Sequence, residues 1–329
     1  MVTGSSLEWI AAVKSAKARD RKSWSASGAL LLLLVSSCSV ADPIYARNAE
    51  NAARRELRQA ADIRKLSVAE ANRNYPVRLK AVVTYYDPQG PDLFIQDQTA
   101  GIWVNVEGTK LNVPVSAGDL VEVTGVTEQP DFAPEVGKPH FTILGRAPLP
   151  KPKRVTYQAM ASTMEDSVRV EVEGIVHRVW KDDEVLLLDV AVDGGRVLGR
   201  IPFYKQEAPQ SLVSARVRLR GTCGADFNSN YQLVGVNVHV PNLPGLTILE
   251  PALADPFQTP LRDIQDVLRF NPEGTLEHRV QVHGIVALYR AGRSIFIENS
   301  GYALYARTEQ AGPELAPGDE ERTPDILFR

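Results

Sequence analysis

The chain has 329 residues, with 37 Lys and Arg against 40 Asp and Glu for a formal charge of −3, and is 44% hydrophobic and 23% charged. That length predicts two or three domains and excludes a single small module, while the composition excludes disorder, a collagen-like chain and a polytopic membrane protein. The lack of a basic excess disfavours nucleic acid as a partner, because phosphate-backbone affinity rests on Lys and Arg.

Residues 1–41 read as a removable leader. A basic stretch (Lys14, Lys17, Arg19, Arg21, Lys22) precedes an apolar run over 29–35 and the small residues Ser36, Ser37, Cys38 and Ser39. This is the order of a secretory signal, and the apolar run is short of the roughly 20 residues that cross a bilayer core. Val35-Ser36-Ser37-Cys38 resembles a bacterial lipobox, which implies a lipidated Cys38 and attachment to a membrane by that lipid. Ser39-Val40-Ala41 is a competing site for plain secretory cleavage. Either way the expected location is extracytoplasmic: periplasmic, or anchored by lipid, with no transmembrane helix in the mature chain. Cleavage before Cys38 leaves 32 basic and 38 acidic residues, a charge of −6. Cys38 and Cys223 are too few for a disulfide framework or a four-ligand zinc site, and Cys223 reads as a small buried hydrophobe.

Residues 42–75 read as a short helical segment, in which Ser67 and Glu70 have the spacing of a capping box. A repeat governs the remainder. Val77-Arg-Leu-Lys-Ala-Val-Val83, Val170-Glu-Val-Glu-Gly-Ile-Val176 and Val280-Gln-Val-His-Gly-Ile-Val286 are spaced 93 and 110 residues apart. Each alternates with period 2, carries Ala or Gly at its fifth position and closes on two β-branched residues, the pattern of a strand with a bend or bulge at the small residue. A second strand follows each, ending at Asp97, Asp189 and Asn299, and these three are aligned with one another. A Gly-led third strand comes next, and the first two units continue with Gly118-Asp-Leu-Val-Glu-Val-Thr-Gly125 and Ala215-Arg-Val-Arg-Leu-Arg-Gly221 before a fifth strand. Helical or turn segments are expected ahead of each unit, over 54–72, 155–163 and 260–270. The Pro-rich joints at 148–152 and 241–244 read as stiff linkers.

Five short strands around a bent first strand look like the oligonucleotide/oligosaccharide-binding (OB) barrel. The immunoglobulin-like alternative expects about seven strands per unit. The expected fold is therefore all-β: tandem OB-like five-stranded barrels joined by short helices, the first over 76–150 and the second over 151–250. Residues 251–329 are then a helical linker and an incomplete third barrel. After Leu315-Ala-Pro-Gly-Asp319, where the first unit places a strand, the sequence turns to Glu-Glu-Arg-Thr-Pro-Asp-Ile-Leu-Phe-Arg and ends, so the third barrel is expected to lack its last two strands.

Residues 57–71, with Tyr75-Pro-Val-Arg-Leu-Lys-Ala-Val-Val-Thr-Tyr-Tyr-Asp87 and Leu93-Phe-Ile-Gln-Asp97, resemble the extracytoplasmic input region of large bacterial sensor histidine kinases, over a span reaching about residue 305. The resemblance implies a non-enzymatic ligand-binding or sensor module belonging to a longer receptor of a two-component system. A free-standing periplasmic lipoprotein that scaffolds other proteins is the alternative, and a nucleic-acid-binding OB protein stands behind both.

No catalytic motif occurs, no metal site is expected from the scattered histidines, and no cofactor is implied. Asp182-Asp183-Glu184 reads as a solvated turn. OB-type barrels take ligands on an open strand face where aromatic rings stack. The candidate ligand residues are Tyr85 and Tyr86 in the first unit, Trp180 and Tyr204 in the second, and Tyr289 and Arg290 in the third. Tyr85, Tyr86, Trp180 and Tyr289 occupy matching places at the end of the first strand. Phe94, Trp103, Arg178 and Phe296 lie on the same strands as further candidates, but Phe94, Trp103 and Phe296 stand at alternating strand positions and read as core. The expected partner is a small molecule, a saccharide or a protein.

Overall fold

The computed structural model describes residues 56–90, 92–129, 133–228, 230, 232–255, 258–268, 280–308 and 314–326. The leader, with Cys38 and both cleavage sites, lies outside them. The described chain is mostly β and forms three sheets. No helix among the described residues is long and apolar enough to cross a membrane.

The first sheet holds β1 (Pro76–Asp87), β2 (Asp92–Gln96), β3 (Gly101–Trp103), β4 (Asp119–Glu128) and β5 (Glu135–Arg146) in the order β3-β2-β1-β4-β5. A parallel bridge from Val104 to Val136 brings its two edges together. The second sheet comprises β6 (Lys153–Arg154), β7 (Arg169–Asp182), β8 (Val185–Val192), β9 (Gly195–Ile201), β10 (Arg216–Phe227), β11 (Leu233–His239) and β12 (Leu246–Glu250). Here β10 pairs with both β7 and β11, and β9 pairs parallel with β11. The pairings β7-β8-β9-β11-β10 thus close on themselves. The third sheet is β13 (Val280–Arg290), β14 (Ser294–Asn299), β15 (Tyr302–Arg307) and β16 (Glu320–Ile326), in the order β15-β14-β13-β16.

That fourth strand corrects the sequence reading of the third unit. The segment after Asp319 pairs antiparallel with β13, Ile285 opposite Glu320 and Val280 opposite Ile326. Its run of charges concealed it, because a strand at a sheet edge keeps half its groups in solvent and needs no apolar alternation. The turn before it is built as in the first unit: Asp319 accepts from the Ala316 amide as Asp119 accepts from the Ser116 amide.

Short helices fall ahead of the units: α1 (Ala60–Arg64), α2 (Val68–Ala71), α3 (Tyr157–Ala161) and α4 (Ile264–Leu268). The Ser67–Glu70 capping box forms at the start of α2. The α1 terminus is capped from a distance, its Ala60 amide donating to Asp97 Oδ2 at 2.8 Å. Before each unit the chain also lies briefly parallel to the unit's first strand, at Leu57–Val77, Lys153–Val170 and Leu261–Gln281.

All three first strands carry a bulge at the same place. It falls between Val83 and Tyr85, between Val176 and Arg178, and between Val286 and Leu288, two residues beyond Ala81, Gly174 and Gly284. The extra residue resets the alternation of faces. Before it, Leu79, Ala81 and Val83 point into the first core; after it, Tyr86 takes the core side and Tyr85 the outer one. Gly174 is required where its strand bends, since a Cβ there would lie 2.2 Å from the Ala191 carbonyl oxygen. The bulges also fix the true alignment of the units: Phe94 corresponds to Asp189 and Phe296, so Asp189 is not the counterpart of Asp97.

Each sheet encloses its own cluster of buried aliphatic side chains, around Leu79, Ile95 and Val123 in the first, Leu188, Val217 and Leu219 in the second, and Val282, Ile295 and Ile297 in the third. Burying each such side chain contributes about 1.5–3 kcal/mol. The outside of the second unit carries a ladder of charges. Glu171 takes Arg220 Nε at 2.6 Å and Arg154 Nε at 3.0 Å, while Glu173 takes Arg218 Nη2 at 2.6 Å and Arg154 Nη2 at 2.9 Å. Partial burial opposes the charge on Glu171, but the guanidinium bonds from Arg220 and Arg154 outweigh it and hold the carboxyl below its ordinary range. Arg154 is largely exposed, so its share is screened. Replacing Glu171 with Gln is expected to lower stability by about 1 kcal/mol, read as a fall in the thermal midpoint of the second unit that shrinks in molar salt.

Candidate functional site

The register of the bulged strands defines one outward row per unit. In the first it is Tyr85–Phe94–Trp103, in the second Arg178–Asp189–Leu198, and in the third Leu288–Phe296–Tyr305. The three rows share a backbone frame and differ in side chain and in what covers them.

The first row is closed. Tyr85 is fully buried and Phe94 nearly so, and His239 of the second unit packs on both, its ring centroid 4.9 Å from each. Tyr85 is thus part of a joint between units, not of an open face, and burial with the Asp87 charge beside it pushes its hydroxyl pKa well up. Tyr86 lies on the core side of β1, half-buried against the first cluster.

The second row is polar. Asp189 is paired with Arg196, which also contacts His177. Trp180 lies one place further along the strand than Tyr86 and Tyr289, and the Arg178 guanidinium sits 5.0 Å from its ring centroid. Tyr204 is half-buried against the second core, its hydroxyl donating to the Glu207 carbonyl at 3.2 Å and its amide to Glu184. The six candidate residues are therefore not brought together, and Tyr289 is half-buried against the third core.

The third row is open. Tyr305 is 55% exposed and Leu288 39%, and the rings of Phe296 and Tyr305 lie with centroids 4.9 Å apart at 56°. The next row toward the β13–β14 hairpin is Arg290–Ser294–Arg307, in register. Two strand spacings separate the two arginines by about 10 Å, and the aromatic row lies about 7 Å away along the strands. Arg293 is exposed in the hairpin between them. On the other side, Ile285, Glu298 and Ala303 form a further outward row. The result is a largely apolar surface with two rings in tilted contact, positive at one end.

Arg290 was legible as part of this face, and Phe296 as a candidate outweighed by its reading as core; Tyr305, Arg293 and Arg307 were not. Phe296 stands between Ile295 and Ile297, where three successive apolar residues give no alternation to say which face is inside. Counting strand parity past the bulge at Val286 and Leu288 puts Phe296 outside with Tyr305. No group of three or more His, Cys, Asp or Glu among the described residues could hold a metal ion. Cys223 is buried, and desolvation pushes its thiol up to about 12, with Asp166 and Glu165 adding to the effect.

No family model matches the chain, and no curated protein matches it. Among solved structures, the tetrameric p202 HIN2 shares 11% identity over 55% of this chain and 94% of its own, with a TM-score of 0.23. A murine DNA-binding protein bound with double-stranded DNA shares 8% over 53% and 98%, at 0.27. Fission yeast Pot1 with single-stranded DNA shares 10% over 64% and 94%, at 0.26. At such scores the likeness decides neither ligand nor function.

Proposed function

We propose that the protein is a non-enzymatic, extracytoplasmic binding module of tandem OB-like barrels that holds its ligand on the outer face of the third sheet. The observation carrying this reading is the row Leu288–Phe296–Tyr305, with Tyr305 exposed beside a half-buried Phe296 and bordered by Arg290, Arg293 and Arg307. Monomeric surfaces keep large apolar residues scattered, and a contiguous patch with a charged rim is the form of an interaction site. The cyclic pairing of β7, β8, β9, β11 and β10 supports the barrel assignment. Sensor duty within a longer histidine-kinase receptor remains the role implied by the resemblance of the first unit.

Aromatic rings that pack on a ring face and guanidiniums that pair with carboxylates suit a cyclic anion. With a leader directing the chain out of the cytoplasm, an acidic saccharide is the ligand we favour, held by the local Arg290, Arg293 and Arg307 against a mature charge of −6. The test is a titration of the full-length protein with uronic-acid oligosaccharides by calorimetry. Each lost ring is expected to weaken binding by about 10- to 100-fold, so Phe296→Ala/Tyr305→Ala abolishes measurable affinity while Arg290→Ala/Arg307→Ala weakens it and flattens its salt dependence. Binding that survives the double aromatic substitution would overturn the assignment, and tighter binding of a single-stranded oligonucleotide to the same face would replace the saccharide with nucleic acid.

A further inference from the structure

The joint between the first and second units is assembled from groups that a simple structural contact does not need. Tyr85 from β1, Phe94 from β2 and His239 from β11 form a closed cluster of three rings, the Tyr85–Phe94 centroids 6.3 Å apart. His239 is 4% exposed, and its Nδ1 has no hydrogen-bond partner. Arg200 lies next to it as its parallel partner on β9, with Nε also unpartnered. Thr222 is opposite on β10. From the first unit the seat is faced by the Tyr85 hydroxyl, with the Asp87 and Asp92 carboxylates behind it, and Asp87 is 2% exposed. The rim of the joint is polar and separate: Gln96 Oε1 accepts from the Arg169 amide at 2.9 Å, and Arg64 pairs with Asp166 at 3.2 Å.

We infer that the seat of His239 is an acid-sensitive latch, in which docking of the two units requires the neutral imidazole and a proton taken up by the ring holds them apart. A charged ring in the closed cluster would meet two aromatic side chains and the Arg200 guanidinium, with no acceptor on its Nδ1. A charged ring in the separated state is simply hydrated. The closed seat holds His239 at about 3, by burial first and the Arg200 charge second. Separation returns the ring to the ordinary value near 6.5. The sign follows: the separated form binds the proton and the docked form does not, so docking has its full strength above about pH 6.5 and loses it as pH falls toward 3. Each pH unit in that window shifts the ratio of docked to separated molecules by up to about 10-fold. Opening uncovers Tyr85 and Phe94, the first unit's counterparts of the open third row.

The experiment is hydrogen exchange of the full-length protein, following the Arg169 amide, whose acceptor lies across the joint. After correction for intrinsic exchange, its protection factor is expected to fall about 50-fold between pH 6.5 and 4.5, while the Ile297 amide in the third sheet stays level. In His239→Phe, which keeps a ring in the cluster without a titrating nitrogen, the fall disappears. Arg200→Gln serves as a second variant, expected to give a shallower fall because one of the two causes holding the ring neutral is gone. A protection factor that does not change with pH in the wild type, or one that falls equally in both variants, overturns the latch. The readout involves no ligand, so its failure is distinct from failure of the proposed binding function.

Discussion

Gly101→Ala is expected to part the first unit from the second and to cost about 3 kcal/mol of apparent stability. Gly101 begins β3, and a methyl group there would lie 1.8 Å from the carbonyl oxygen of Ser167 and 2.4 Å from its carbonyl carbon. Both atoms are backbone, so no side chain can swing away. Ser167 is itself fixed, with its amide donating to the Cys223 carbonyl at 2.8 Å and its backbone at a φ of 64°. Relief must come from translating one unit against the other, which pulls the His239 ring from Tyr85 and Phe94. The expected result is a lowered first thermal transition with the second core retained, together with loss of Arg169 amide protection at neutral pH. An unchanged melting profile would show that the units do not rely on this contact.

Arg64→Ala is expected to destabilise the protein by about 3 kcal/mol near neutral pH. The Asp166 carboxylate is partly buried, its side chain 15% exposed, and burial raises its pKa while the Arg64 charge pulls it back. Removing Arg64 leaves burial opposed only by the Ser167 bonds, with the Oγ contact at 3.0 Å. The pH dependence has a definite direction. A carboxyl whose folded pKa lies above its unfolded value penalises the folded state once that carboxyl must ionise, so the loss is greatest at neutral pH. It is relieved as pH falls through the raised value. The check is urea unfolding of wild type and variant across this range, with Arg64→Ala/Asp166→Asn alongside; the double variant is expected to recover part of the stability at neutral pH. A loss independent of pH would show that Arg64 acts by packing alone.

Much of the fold was legible because strand alternation and a small residue at a fixed place recur three times. The register of Val77, Val170 and Val280 identified the first strand of every unit, and the Ser67–Glu70 spacing its capping box. What stayed hidden has a common cause. A period-2 pattern tells inside from outside only while the period runs, and the extra residues Thr84, His177 and Ala287 interrupt it. Past that point Tyr85 and Tyr86 exchange expected faces, and Trp180 matches Arg290 instead of Tyr289. The runs Leu93-Phe-Ile95 and Ile295-Phe-Ile297 add a second ambiguity, since apolar residues on both faces conceal that one side meets water or a neighbouring unit. The edge strand Glu320–Ile326 was missed for the opposite reason, having too few apolar residues to register as a strand. The partners of Tyr85 were beyond reach altogether, because His239 lies more than 150 residues away in sequence and only the docking of the units brings it near.

The bulge also resets which side chains of each first strand answer to the core: past it Tyr86, Val179 and Tyr289 pack inward, while Tyr85, Arg178 and Leu288 fall on the outer face. Upstream, the three units repeat nearly the same apolar side chains; downstream, one frame presents tyrosine with phenylalanine and tryptophan, another arginine with aspartate and leucine, the third leucine with phenylalanine and tyrosine. Substitutions in the outer row leave these inward-facing side chains in place, so surface chemistry differs among the three units while the strand frame stays the same. One face is an internal seam, one a charged wall and one an open platform, all on the same bulged frame.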